Sequence, residues 1–331
     1  MIAHDLIRAA DNNINIVNAI AKAHNVLSRF NAPACSISGG ADSDILLHLI
    51  HSLDVDKFTR YIWFNTGLEF AATKKHLDFL RNLYDVDIIE LPPVKPVAVT
   101  VREYGYPFLS KLISHNIYNL QRGGFHFKAG TSFEQDIADF PKCRDAINWW
   151  HNTRSFKSWN INRWKLLKEF LIAYPPTFSI SDLCCSFSKK KVAHNFLREQ
   201  ARDLNITGTR KAEGGVRQSS NSCFSENSKG VPLFRPIFFF SDADKRDYER
   251  FFRISHSDCY NVYGLKRTGC VGCPFNQHVF SELEQVKRWE GGIVTAAEHI
   301  FAPSYEYTKL FRQFRAFYGV SYPLFREASH D

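Results

Sequence analysis

Residues 36–44 read Ser-Ile-Ser-Gly-Gly-Ala-Asp-Ser-Asp, and they stand between a short apolar run and a longer one. Residues 33–37 predict a short buried strand, and the apolar side chains of residues 45–50 predict the buried face of a helix. Two adjacent glycines let the backbone turn sharply and approach a ligand closely. The N–H groups at a helix start favour an anion, because they and the helix dipole both present positive charge. The stretch therefore predicts a strand–loop–helix unit that binds a phosphate group.

The predicted phosphate-binding residues of this loop are Ser38, Gly39, Gly40, Asp42 and Ser43. The two serines offer hydroxyl donors, and Asp42 is expected to cap the helix or to help hold Mg²⁺ on the phosphates. Asp42 and Ser43 are also candidate catalytic residues. An ordinary strand–turn–helix with a capping Ser or Asp is the alternative. The loop lacks the G-x-x-x-x-G-K-[ST] spacing of a Walker A motif.

The composition describes a folded chain with a basic surface. Its 331 residues are 44% hydrophobic and 23% charged, which excludes a disordered protein. The net charge of +8 favours anionic partners, either a nucleotide or a nucleic-acid backbone. No apolar run approaches the roughly 18 residues of a membrane span, and residues 1–8 lack a signal-peptide pattern. We expect a cytoplasmic protein that does not bind membranes, of unknown oligomeric state.

Two further segments predict ligand contacts. Residues 63–69 read Trp-Phe-Asn-Thr-Gly-Leu-Glu and follow a second predicted strand. Residues 206–217 follow a further predicted strand and form a loop with three cations. Ligands of open parallel sheets bind beyond the carboxyl ends of strands, and arginines bind phosphate or sulfate with two hydrogen bonds. A strand-ending turn and a solvated loop are the respective alternatives. The candidate nucleotide-binding residues here are Asn65, Thr66, Gly67, Glu69, Gly208 and Arg210, and the candidate catalytic residues are Arg210 and Arg217.

Strand-like and helix-like runs alternate over residues 33–92, which predicts an α/β fold with a parallel sheet and helices on its faces. We interpret residues 1–96 as the nucleotide-binding half and residues 97–180, which hold four of the six tryptophans, as a helical insertion. Residues 181–275 are expected to complete the α/β domain with the arginine loop and most remaining cysteines. Residues 276–331 are expected to form a C-terminal helical segment.

The cysteines indicate a metal centre. Cys184-Cys185 and the Cys270-Val271-Gly272-Cys273 turn supply four thiolates, a set that suits a [4Fe–4S] cluster or a structural zinc. Adjacent side chains of an extended chain point to opposite faces, which is awkward for a compact zinc site. We therefore favour the cluster, with zinc and unligated thiols as alternatives. Cys35, in an apolar run, is predicted to lie in the core.

Taken together, these motifs resemble the phosphoadenosine-phosphosulfate (PAPS) reductase family of PP-loop proteins. SISGGADS at 36–43 is similar to the PP-loop, WFNTGLEF at 63–70 to the adenosine-side motif, and GTRKAEGGVR at 208–217 to the family's arginine loop. YGYPFLSK at 104–111 and the paired cysteines resemble the iron–sulfur branch. The resemblance implies a Rossmann-like HUP fold and an adenine nucleotide, ATP or a relative such as PAPS.

Three departures direct the functional hypothesis. Ala41 stands where the family often has Lys, Gly214 replaces a Ser, and residues 322–331 lack the cysteine that sulfonucleotide reductases use. The resemblance then favours the DndC-like and SspD-like proteins, which implies an ATP pyrophosphatase of sulfurtransferase type with a [4Fe–4S] cluster and Mg²⁺. A nucleic acid would be the acceptor, as in DNA phosphorothioation, and a cysteine desulfurase or other donor would supply sulfur. A PAPS or APS reductase and a non-catalytic nucleotide- or nucleic-acid-binding sensor are the alternatives.

Overall fold

The computed structural model describes residues 3–10, 13–214, 217, 220–226 and 230–319. The prediction that residues 322–331 lack the reductase cysteine context concerns residues outside these ranges, as does the part of the predicted C-terminal helical segment after residue 319. Over the described ranges, no helix is both long and apolar enough to span a membrane. The chain divides into two units: unit 1 contains the described residues of Met1–Val94 and Ser188–Cys270, and unit 2 contains those of Lys95–Phe187 and Val271–Asp331. The sequence suggested boundaries at residues 96, 180 and 275.

Six strands form one sheet within the described residues. They are β1 Pro33–Ser36, β2 Arg60–Phe64, β3 Ile88–Leu91, β4 Leu204–Thr207, β5 Phe224–Ser225 and β6 Leu233–Phe234. The helices are α1 Ala3–Ala9, α2 Ile14–Leu27, α3 Ala41–Leu53, α4 Ala71–Tyr84, α5 Val97–Tyr104, α6 Lys111–Arg122, α7 Phe133–Asp139, α8 Arg144–Trp150, α9 Leu167–Ala173, α10 Leu183–Cys185, α11 Lys191–Glu199, α12 Asp242–Phe252, α13 Asp258–Asn261, α14 Val279–Ile300 and α15 Ala302–Phe317.

The strand order of the sheet in unit 1 is β3-β2-β1-β4-β6-β5. All neighbouring strands run parallel except β5, which is antiparallel to β6. The chain moves outward from β1 to β3 and then returns to place β4 on the other side of β1. The point between β1 and β4 is thus a topological switch point, where ligands of such sheets bind. The predicted Rossmann-like α/β fold is confirmed.

The core of unit 1 explains why these segments became strands and helices. Apolar side chains of the short central strands are buried on both faces, as parallel strands covered by helices require. Cys35 is fully buried in β1, as its apolar neighbours predicted. Helix α3 contributes an almost entirely buried run. Its core members include Ile45, Leu46, Leu47, Leu49 and Ile50.

Unit 2 is mostly helical and has a separate, aromatic-rich core. Trp149 and Trp150 of α8 are fully buried, and Phe170 of α9 packs against Phe108 and Phe311. The helical character predicted for residues 97–180 is therefore present. Short 3₁₀ turns at Lys157–Trp159 and Ile161–Arg163 connect α8 to α9. This core is large enough to hold those turns in place.

Candidate nucleotide site

Three loops follow the carboxyl ends of adjacent strands in unit 1. The loop at residues 37–40 follows β1, residues 65–69 follow β2, and residues 208–210 follow β4. Since the sheet order places β2 and β4 on either side of β1, the three loops share one edge. This edge includes the switch point between β1 and β4, where an open α/β sheet forms its ligand crevice.

The first loop has the backbone that its glycines predicted. Gly39 has a φ of +68°, in the left-handed region that other residues avoid, and Gly40 caps α3. The Ser43 hydroxyl accepts a hydrogen bond from Gly40 N at 3.0 Å and donates one to Gly40 O at 2.7 Å. Ser43 therefore holds the start of α3 in place. Ser38 is exposed at the loop tip.

Gly40 lies in a crowded environment that any side chain would disturb. A Cβ at this position would stand 2.8 Å from Thr268 Oγ1 and 3.2 Å from the Tyr260 hydroxyl. The same Tyr260 hydroxyl accepts a hydrogen bond from Ala41 N at 3.1 Å. The first N–H of α3 thus has a protein partner, which a bound anion would have to replace or share.

Asp42 is the centre of a charge cluster beside this loop. Arg210 Nε lies 3.0 Å from Asp42 Oδ2, and Lys245 Nζ lies 2.9 Å from Asp42 Oδ1. The buried Arg210 guanidinium also contacts Asp242 at 2.9 Å. Gly208 permits this approach, because a Cβ there would stand 3.2 Å from the carbonyl oxygen of Asp42. Two cations, Arg210 and Lys245, and two carboxylates, Asp42 and Asp242, therefore form one cluster beside the start of α3.

A second charge cluster involves Asp44, which lies in the first turn of α3 together with Asp42. The Asp44 carboxylate is fully buried, and its Oδ2 lies 2.8 Å from His256 Nδ1 and 3.1 Å from His76 Nε2. The other ring nitrogen of His256 lies 2.9 Å from Glu249 Oε1. Burial lowers the pKa of His256, but its hydrogen bonds to Asp44 and Glu249 outweigh that effect and raise the pKa to about 9. A protonated His256 thus links α12 to α3.

The second loop is closed by its own polar side chains. The Asn65 side chain accepts from Gly67 N at 2.9 Å and donates to Glu90 at 2.6 Å. Thr66 donates to Glu69 Oε1 at 2.7 Å, and both residues are buried. These contacts fix the turn after β2 and leave Gly67 exposed.

The remaining arginine of the third loop has a different position. Arg217 is exposed and pairs with Glu213 of its own loop at 3.4 Å. Glu213 also accepts from Arg210 N at 2.8 Å. The structure therefore places Arg210 in the Asp42 cluster and Arg217 on the solvent side of the same loop.

The four predicted metal ligands belong to both units. Cys270 lies in unit 1, and its Sγ is 3.3 Å from Thr66 Oγ1, whereas Cys184, Cys185 and Cys273 lie in unit 2. Cys184 is buried and the other three are partly exposed. In the described part of the chain, no group of three or more His, Cys, Asp or Glu side chains is arranged to hold a metal ion.

The turn between the last two cysteines is well defined. Gly272 has a φ of +67°, and Tyr305 donates a hydrogen bond from its hydroxyl to Gly272 O. A Cβ at Gly272 would collide with that hydroxyl. Val271 is buried beside them. The C-x-x-C turn is therefore held by α15 in the conformation that its glycine requires.

Sequence reasoning missed several residues of the candidate nucleotide site. Lys245, Tyr260 and Thr268 reach the first loop from more than 200 positions later in the chain. The capping box of Ser241 with Asp244 is a local pattern that indicates the start of α12. No local pattern connects that helix to residues 38–43, so its lysine carried no signal of its own.

Comparison with known protein families supports the resemblance over part of the chain. A family model, the phosphoadenosine phosphosulfate reductase domain, matches residues 32–122, less than half of the 331 residues. The matched range includes the loops after β1 and β2. No curated protein is similar enough to count as a relative. The match supports the predicted resemblance to a PAPS reductase domain over these residues, and the DndC-like and SspD-like branch stays a prediction.

Several solved structures share a distant similarity with the chain. PAPS reductase from Candida auris is 13% identical, with 81% of this chain and 93% of that chain covered and a TM-score of 0.42. FMN adenylyltransferase from Candida glabrata in complex with ATP is 11% identical, with coverages of 82% and 69% and a TM-score of 0.41. The U34-tRNA thiolase NcsA from Methanococcus maripaludis, with its [4Fe-4S] cluster, is 12% identical, with coverages of 90% and 80% and a TM-score of 0.38. At these TM-scores the fold assignment rests on the strand order described above.

Proposed function

We propose that the chain is a PP-loop ATP pyrophosphatase that binds ATP at the three loops of unit 1 and cleaves it between the α- and β-phosphates. The observation that carries the proposal is the charge cluster at the start of α3. Arg210 and Lys245 lie within 3.0 Å of Asp42, directly after the glycines of the first loop. A phosphate chain entering this edge would meet a helix N-terminus and two cations, which is the arrangement that stabilises a departing pyrophosphate.

Each loop has a distinct role in this proposal. Gly39 and Gly40 let the phosphates approach the backbone, and Ser43 keeps the loop in the required shape. Arg210 and Lys245 exchange the Asp42 carboxylate for phosphate oxygens. The residues after β2, from Asn65 to Glu69, contact the adenosine. Arg217, exposed on the third loop, reaches the anionic end of the nucleotide.

Mg²⁺ remains part of the proposal only at Asp42. Mg²⁺ commonly takes one or two protein carboxylates together with substrate phosphates, and Asp42 is a partly exposed carboxylate on this loop. Both of its oxygens are paired with cations. A metal ion would therefore bind Asp42 only after Arg210 or Lys245 has moved to the phosphates.

The [4Fe–4S] cluster is proposed on the chemistry of its donors. Cys184, Cys185, Cys270 and Cys273 would hold it, because thiolates are the ligands of such clusters. The ordered turn around Gly272 supports a ligating role for its flanking cysteines. When bound, a cluster supplies iron for sulfur binding or electron transfer. The proposed roles of the three loops after β1, β2 and β4 do not depend on it.

We further propose that the activated group belongs to a nucleic acid, which receives sulfur in a reaction resembling DNA phosphorothioation. The net charge of +8 supports an acidic macromolecular partner. A cysteine desulfurase or another donor would supply the sulfur. The match to a PAPS reductase domain supports a second candidate, reduction of PAPS or APS.

The test is product analysis of ATP labelled at the α-phosphate, with and without DNA or tRNA and a sulfur donor. The proposal predicts AMP or an adenylated acceptor together with pyrophosphate, and it predicts no turnover by Gly40→Val. Release of ADP and phosphate would contradict it. Sulfite released from PAPS in the presence of thioredoxin would make the reductase the better assignment.

A further inference from the structure

Unit 2 contains a cavity that the proposed ATP site does not use. Its volume is about 500 Å³, and it lies between α6, α8 and the segment that follows α8. Its lining includes the polar residues Asn148, Thr153 and Ser155 and the aromatic residues Phe156 and Trp159. The size falls within the range of small-ligand pockets, and the mixture of aromatic faces with hydrogen-bonding groups is typical of sites for planar polar molecules.

Phe156 is the most unusual side chain of this cavity, because 62% of its surface is exposed. Its ring centroid lies 5.2 Å from that of Trp159, with an angle of 39° between the planes. An exposed phenylalanine beside a tryptophan offers an aromatic face to a ligand. Aromatic faces of this kind stack on nucleobases in proteins that bind single strands.

The loop that carries both aromatic residues is held by Arg154. Its Nη2 donates to Asn116 Oδ1 and to Asp145 Oδ2, both at 2.7 Å. Its Nη1 donates to the carbonyl oxygen of Trp159 at 3.3 Å, and the Asn160 side chain bonds the Arg154 backbone on both sides at 3.1 Å. The aromatic residues are thus ordered before any ligand binds, which lowers the entropic cost of binding.

The sequence around the cavity is strongly basic. Residues 141–168 contain seven Lys or Arg residues and one acidic residue, Asp145, a local net charge of +6 in a chain of net charge +8. Arg154 forms an ion pair with Asp145 of α8, which also lines the cavity. The exposed cations of this segment are Lys142, Arg144, Lys157, Arg163 and Lys165.

We propose that this cavity holds one base of a single-stranded nucleic acid, which stacks on Phe156, while the exposed cations of residues 142–165 contact its phosphates. An unpaired base has a free face and a free polar edge. The cavity offers an aromatic ring, the hydroxyl of Ser155, and the remaining hydrogen-bonding capacity of Asn148 and Thr153, which are bonded to each other at 2.6 Å. The bases of a duplex are stacked on each other and would have to leave the stack, at a cost of a few kcal/mol, to reach a ring on a loop. This proposal rests on the proposed function, because it assigns a binding surface to the nucleic acid that would accept sulfur.

The experiment measures fluorescence anisotropy of a labelled single-stranded DNA, the same sequence as RNA, and the DNA duplex, each titrated with the full chain without ATP. Phe156→Ala should weaken binding of a single strand by roughly 5- to 150-fold, the usual effect of removing one stacking aromatic residue. Lys157→Gln should reduce the salt dependence of log K by about 0.7, the value for one phosphate contact of a single strand. Comparison of the DNA and RNA strands identifies the type of nucleic acid.

Two controls separate stacking from general effects. Phe239 in unit 1 is 51% exposed, so Phe239→Ala removes a similar exposed ring and should leave the affinity unchanged. An abasic version of the strand should bind the wild type more weakly and should no longer distinguish the wild type from Phe156→Ala. Phe156→Leu, which retains volume without an aromatic face, replaces the alanine variant if that variant does not fold.

Equal affinities of the wild type and the Phe156 variants would overturn the inference, as would tighter binding of the duplex that does not depend on Phe156. Failure of the proposed function has a different signature. A wild-type protein that binds single strands through Phe156 but releases no pyrophosphate from ATP would contradict the ATP assignment and leave the surface assignment standing.

Discussion

A variant of Lys245 distinguishes most clearly between a ligand-binding role and a structural role of this residue. It stands on α12, its Nζ lies 2.9 Å from Asp42 Oδ1, and its side chain is 21% exposed. The family resemblance places a lysine at position 41, where this chain has Ala41. We therefore expect Lys245 to supply the missing cation, and we predict that Lys245→Met weakens binding of an ATP analogue.

The size of the effect follows from the exchange that binding requires. A hydrogen bond between charged groups contributes about 1.5–3 kcal/mol. Without nucleotide, Lys245 already pairs with Asp42, and a partly exposed ion pair of this kind contributes about 0–1 kcal/mol. The net loss on removing the lysine is then about 1–2 kcal/mol, or roughly 5- to 30-fold in the dissociation constant.

Isothermal titration calorimetry with α,β-methylene ATP measures this loss. Lys95→Met is the matched control, because Lys95 is 28% exposed and ion-paired with Glu103 in unit 2. The control should bind like the wild type. Thermal unfolding of Lys245→Met should differ from the wild type by about 1 kcal/mol or less, since its ion pair is partly exposed.

Two results would refute the reasoning. Lys245→Met with an unchanged dissociation constant would show that Lys245 only balances the charge of Asp42. An equal loss in Lys95→Met would show that affinity depends on the net charge of the protein and does not depend on this lysine.

Three further predictions concern the loop, the cysteines and the second charge cluster. Gly40→Val should abolish binding of the analogue while the circular dichroism spectrum is kept, because a Cβ at this position would lie 2.8 Å from Thr268 Oγ1; unchanged calorimetric affinity would remove the loop from the site. Anaerobically purified protein should be brown with about four irons per chain, and Cys273→Ser, but not Cys143→Ser, should lose them; one stoichiometric zinc in a colourless protein would end the cluster proposal. His256 has a folded-state pKa of about 9, above its usual value of about 6.5, so its stabilising contribution is complete below about pH 6.5 and is lost as the pH rises through 9. The difference in free energy of unfolding between the wild type and His256→Gln, from urea denaturation, should therefore shrink between pH 7 and pH 10, and a difference that is constant over this range would contradict the assignment.

The sequence predicted the parallel sheet because its signals are local. The apolar run at residues 33–37 became β1, and the alternation predicted over residues 33–92 became β1, α3, β2, α4 and β3 in that order. The two glycines of the first loop predicted a sharp turn, and Gly39 provides it with a φ of +68°. Burial of Cys35 followed from its apolar neighbours in the same way.

The charge cluster could not be predicted, because it depends on contacts between distant parts of the chain. Arg210 stays a predicted nucleotide-binding residue, and its pairing with Asp42 and Asp242 is a further feature that no local pattern indicated. Ser43 stays a predicted phosphate-binding residue, and the use of its hydroxyl to cap α3 depends on the folded loop.

The central claim is that the phosphates of an adenine nucleotide bind at the start of α3, and the structure of the complex with α,β-methylene ATP tests it most directly. The account predicts phosphate oxygens within hydrogen-bonding distance of the backbone at Gly39 and Gly40, with Arg210 and Lys245 turned from Asp42 toward them. It also predicts the adenosine beside residues 65–69. A nucleotide bound elsewhere in the chain, or bound with the Asp42 pairs unchanged and no phosphate at the loop, would contradict the claim.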